Sequence, residues 1–181
     1  MRLSFILLLC CFAFLVSIDL PAQTANPDVV AREQLLGAWR LVSIETIRPN
    51  GEIIYPFYGK HPEGLIVYDR SGWMSVQITS DPRPTVPKAS SRELFLAAPA
   101  AEKVAAVEGY YAYCGTWELD ASKSNLAHHI KQSLSPGERG EDVLRHYAFD
   151  GDRLTLMAKT HEMGEDHERK LVWERASREK P

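Results

Sequence analysis

The chain has 181 residues, of which 45% are hydrophobic and 25% charged, and its formal net charge is −3. Without a Lys/Arg run or a basic excess, neither nucleic acid nor an anionic membrane surface is expected as a partner. Cys10 and Cys11 fall in an N-terminal apolar run, so removal of that run leaves Cys114 alone and no internal disulfide to form.

That run, SFILLLCCFAFLVSI from Ser4 to Ile18, precedes Pro21 and the small residues Ala22 and Ala25. It reads as a secretory signal peptide over residues 1–25, cleaved after Ala22 or Ala25, because it is short for a span of about 20 residues and sits at the N-terminus. The expected destination is periplasmic or extracellular, with membrane contact only through this segment. Residues 26–34 read as a linker, 35–176 as one domain and 177–181 as a tail. A mature chain of about 155 residues is enough for a single packed core.

From Leu36 onward, β-like runs alternate with turn signals such as Pro49-Asn50-Gly51, Asp69 to Gly72 and Asp150-Gly151-Asp152. Strands are predicted at 36–48, 64–68, 73–79, 111–119, 125–134, 143–149, 153–160 and 167–175. Eight strands joined by tight turns predict an all-β, up-and-down antiparallel barrel. Between strands 3 and 4 lies a helical insertion, SRELFLAAPAAEKVAAVEG, with Pro99 at a first turn and Gly109 at its stop. It is expected to plug an open barrel end through Leu94, Phe95, Leu96, Val104 and Val107, or to wall a ligand site.

Gly37-Ala38-Trp39 opens the first strand and Trp173-Glu174-Arg175 closes the last. The chain is similar to a bacterial and fungal lipocalin-like domain family that runs through these same signatures in order. They are Leu35 to Glu45; Pro62, Gly64, Leu65 and Tyr68; Gly72, Met74 and Ser75; Tyr111, Tyr113 and Gly115; His128, His129, Ser133 and Pro136; Arg145 and Tyr147; Asp150 to Leu156; and Trp173 to Arg175. The resemblance implies an eight-stranded lipocalin-like β-barrel, with Gly37, Trp39 and Arg175 closing its floor through a cation–π contact.

Alternation assigns faces within each strand. Trp39, Ser43 and Glu45 share a phase, as do Tyr111, Tyr113 and Trp117; Leu126, His128 and Ile130; and Val143, Arg145, Tyr147 and Phe149. Ser43, Glu45, Tyr113, His128, Arg145 and Tyr147 are therefore expected on the inner wall. A carboxylate, a guanidinium and an imidazole in one lumen must pair with each other, with water or with a ligand. Three readings follow: a polar anchor for a small hydrophobic or amphipathic molecule; an isomerase or cyclase with His128 as general acid or base tuned by Glu45; or a packed structural or interaction module. No nucleophile set, metal set or cofactor motif is recognised, so no cofactor and no metal are expected. The tract HEMGEDHE, His161 to Glu168, reads as a solvated hairpin rather than a metal site, and Cys114, opposite in phase to Tyr113, as a packing residue.

Overall fold

A computed structural model describes residues 26–84 and 90–177; the apolar N-terminal run, its expected cleavage sites and part of the Pro-rich link and tail lie outside the described residues. In chain order the elements are α1 (Pro27–Leu35), β1 (Gly37–Ile47), β2 (Ile53–Ile54), β3 (Glu63–Tyr68), β4 (Trp73–Thr79), α2 (Arg92–Ala97), α3 (Ala100–Glu108), β5 (Tyr110–Asp120), β6 (Asn125–Ser133), a 3-10 turn (Pro136–Glu138), β7 (Asp142–Asp150), β8 (Arg153–Glu162) and β9 (Glu165–Arg175). From β3 onward each strand pairs antiparallel with the next, β3 also pairs with β1, and β9 returns to β1 from Trp39↔Arg175 to Ile47↔Glu168. This is the predicted closed eight-stranded barrel. The short β2 is an annex paired with the end of β1 through Thr46↔Ile54 and Ile47↔Ile53.

One end of the barrel is filled. Trp39, Trp173, Leu126 and Leu154 are fully or almost fully buried there with Leu35, and the Trp39 ring lies 6.0 Å from that of Phe149. Leu35 comes from α1, in the segment read as a linker. Asn26 caps this helix by accepting the Asp28 N–H at 2.9 Å, and Pro27 stands in its first turn. At its C-terminal end the Leu35 carbonyl accepts the Trp39 indole N–H at 2.8 Å. Arg175 then covers the join. Its guanidinium sits 3.7 Å over the Trp39 ring and donates to the carbonyls of Leu36 at 2.6 Å and Gln34 at 2.5 Å. A Cβ on Gly37, whose φ is +109°, would stand 3.3 Å from Arg175 Nη1, so glycine suits both the backbone and the approach of the guanidinium.

Two bulges set which side chains reach the lumen. In β1 the register against β9 shifts between Leu41 and Ser43, so the buried phase runs Trp39, Leu41, Ile44, Thr46. Opposite Cys114 and Gly115, β6 carries an extra residue, Lys131, between Ile130 and Gln132. Here β5 and β6 approach so closely that a Cβ on Gly115 would lie 1.9 Å from the His129 carbonyl oxygen. Only glycine fits.

The helical insertion forms, but it does not plug the barrel. Leu94, Leu96, Val104 and Val107 remain about half exposed, and no residue of α2 or α3 is buried. The reason is geometric: Ser80 N–H donates to the Gly109 carbonyl at 2.9 Å, which pins both ends of the insertion at one point of the rim. From there run two short helices broken at Pro99, of which α3 lies beside β5. Of the insertion, Val107 and Glu108 at the end of α3 reach the lining of the mouth, and Phe95 is part-covered over a separate gap of about 270 Å³.

Candidate ligand-binding site

Toward the other end the lumen opens into a cavity of about 630 Å³, within the ~300–1,000 Å³ usual for small-molecule sites. Its inner wall is aliphatic: Ile44, Ile66, Val76, Ile78, Leu156 and Leu171. These come from the inward phases of β1, β3, β4, β8 and β9; alternation places all but Ile44, which the β1 bulge turns inward. Phe57, Tyr58 and Tyr111 contribute aromatic surface, and Tyr113 and Arg145 polar groups.

Arg145 belongs to a cluster of four inward side chains. Tyr113 Oη lies 2.8 Å from His128 Nδ1, and Tyr68 Oη lies 2.9 Å from His128 Nε2. Arg145 donates from Nε to His128 Nδ1 at 3.4 Å and from Nη2 to Tyr113 Oη at 3.3 Å. Because Nδ1 receives a guanidinium N–H, it must be an acceptor, which puts the imidazole proton on Nε2 and makes Tyr68 its acceptor. Tyr113 in turn donates its hydroxyl proton to Nδ1. Burial first, and the Arg145 charge second, hold His128 well below its usual range, so it stays neutral. Burial also pushes the Tyr68 and Tyr111 hydroxyls well up, and that of Tyr58 up to about 12. All three therefore remain protonated. Arg145 is thus the charge of the cluster, and among the described residues no carboxylate pairs with it.

Of the residues assigned to the inner wall, Tyr113 and Arg145 line the cavity, and His128 is fully buried behind them. Tyr147 is inward and buried but lies below the cavity, 5.4 Å from the Phe149 ring. The inward placement of Ser43 and Glu45 is corrected. The β1 bulge moves both to the outer phase, where Glu45 accepts from Lys170 Nζ at 3.2 Å. The expected convergence of Glu45 with His128 and Arg145 is therefore not formed. Four contributors were not assigned to the site from the sequence: Tyr68, named there only as a signature residue although in phase with buried Ile66; Tyr111, named there as a signature residue in phase with Tyr113; and Glu138 and Tyr58, from connections in which alternation carries no signal.

The acidic hairpin is occupied with its own pairing. Glu162 is bidentate to Arg169 at the cavity mouth; Glu165 accepts from Arg48 at 2.6 Å and lies 3.1 Å from His167 Nε2; and His161 lies 2.7 Å from Asp166. Cys114 is part-covered on the outer face, opposite Ser75 and Gln132.

A closed antiparallel eight-stranded barrel, solid at one end and hollow at the other, is a ligand-binding fold of lipocalin type. Residues 36–176 match the family described as a lipocalin-like domain, and the chain belongs to that family. Among curated proteins, none matches the chain.

Proposed function

We propose that the protein binds a small amphipathic carboxylate in the barrel cavity, with Arg145 as the anchor for its head group. One observation carries this reading: a cationic guanidinium on the inner wall whose partners among the described residues are a phenol and an imidazole, with no hydrogen bond from Nη1 to any of those residues. A part-buried cation without a counter-charge is costly, and a ligand carboxylate that takes the free edge of the fork offsets that cost. The aliphatic wall then receives the ligand's apolar body. Binding after export accords with the apolar N-terminal segment.

Catalysis by His128 is the weaker reading. The ring does not line the cavity, and both its nitrogens are engaged by phenols. Taking up a proton there would place a second positive charge beside Arg145.

The test uses calorimetric titration of the protein with straight-chain carboxylates and with their methyl esters. The acids are expected to bind at least about tenfold tighter than the esters, about 1.4 kcal/mol, and Arg145→Gln to erase the difference. Equal affinity of acid and ester for the wild-type protein would refute the anchor without recourse to any variant.

A further inference from the structure

The cavity wall carries a second charge of opposite sign. Glu138, at the end of the 3-10 turn between β6 and β7, lines the same cavity as Arg145. Its Oε2 accepts hydrogen bonds from Tyr111 Oη at 2.9 Å and Ser133 Oγ at 2.6 Å. The bulge at Lys131 brings Ser133 into reach, by returning it to the inner phase of β6. Among the described residues nothing donates to Oε1 and no cationic side chain pairs with Glu138. The other carboxylates of this rim differ: Glu162 is neutralised by Arg169, and Glu108 is exposed to solvent at the end of α3. Glu138 is part-buried, held in place by two donors, and still has a free oxygen.

Arg145 and Glu138 do not compensate each other directly. Between them stand Tyr113, which takes the Arg145 N–H, and Tyr111, which donates to Glu138, with ring centroids 5.6 Å apart. One stripe of wall thus runs from a cation through two phenols to an anion, with aliphatic side chains around it. A molecule that complements the stripe has the reverse order.

Building on the Arg145 reading, we infer that the ligand is bipolar: a carboxylate at one end and a hydrogen-bond donor, hydroxyl or ammonium, at the other, the donor being received by Glu138. Such a ligand fills the open acceptor of Glu138 and the open donor of Arg145 at once. An unsubstituted fatty acid would leave the carboxylate of Glu138 facing methylene groups, which disfavours it.

The experiment titrates the wild-type protein with unsubstituted, ω-hydroxy and ω-amino carboxylates of stepped, matched chain length, and repeats the series on Glu138→Gln. At the lengths that span the stripe, the substituted acids are expected to bind at least about tenfold tighter than the unsubstituted ones. In Glu138→Gln the advantage of the ω-amino acids should vanish, while the unsubstituted acids bind as well as before or better. The wild-type series decides the matter even if the variant folds poorly. Unsubstituted acids binding as tightly at every length would overturn the inference and leave Glu138 as a brace for Tyr111 and Ser133. Loss of the Arg145 reading shows separately, as acids and methyl esters binding alike, whatever their ω group.

Discussion

His128 shows how one buried side chain is set by its neighbours. With Nδ1 accepting and Nε2 donating, the ring holds Tyr113 and Tyr68 in place and needs no charge to do so. Its folded-state pKa lies well below the ordinary 6.5, so in acid the unfolded chain binds a proton that the folded chain refuses. Stability from this group is therefore complete above about 6.5 and is lost as the pH falls below it, with a slope of at most about 1.4 kcal/mol per pH unit. Denaturant titrations at stepped pH should show a steeper acid loss in the wild-type protein than in His128→Gln, although the variant starts less stable. Parallel pH profiles would mean that His128 accepts a proton in place.

Strand β1 shows how one extra residue re-aims an element. Without the bulge between Leu41 and Ser43, Glu45 would point into the lumen; with it, Ile44 and Thr46 take that place and Glu45 meets Lys170 on the outside. The consequence for mutation is direct. Glu45→Gln removes one part-exposed ion pair and should cost no more than about 1 kcal/mol, whereas breaking a buried pair costs about 3–5 kcal/mol. Thermal or chemical denaturation distinguishes the two, and a loss in the higher range would place Glu45 inside.

At the scale of the whole molecule, the barrel is divided between a solid floor and an open mouth. The floor is built jointly by α1, β1 and β9, because Arg175 links the Trp39 ring to two carbonyls at the end of α1. Truncation by Arg175→Ala removes the cation–π contact and leaves those carbonyls and the upper face of Trp39 uncovered. The expected loss is about 1–3 kcal/mol, read as a lower denaturation midpoint. Ligand affinity should be unchanged, since the cavity lies at the other end; a coupled loss of both would show that floor and cavity are not independent. At the mouth Phe57, Val107, Tyr110 and Leu134 stay exposed, and on the proposed reading this is where a ligand would pass in or out.

Period-two alternation and the turn signals were sufficient to read an eight-stranded barrel from the residues, and the family resemblance implied its Trp39/Arg175 closure. The same pattern placed Tyr113, His128 and Arg145 inward, because β5 and β7 and the part of β6 up to Ile130 keep a regular pleat in which every second side chain shares a face. That reasoning fails where the backbone inserts a residue or leaves the strand. The β1 bulge is a shift in hydrogen-bond register, so Ser43 and Glu45 look the same in sequence on either side of the sheet. Segment 26–35 has too weak an apolar stripe to announce α1; Leu35 is buried only because an open barrel end lies beneath it. Glu138 stands in a turn, where alternation is silent, and its place on the same wall as Arg145 follows from the pairing of β5, β6 and β7 around a common lumen. A linear chain specifies which faces are apolar; which polar groups meet inside depends on strand register and closure, and these are settled only when the sheet joins its first strand to its last.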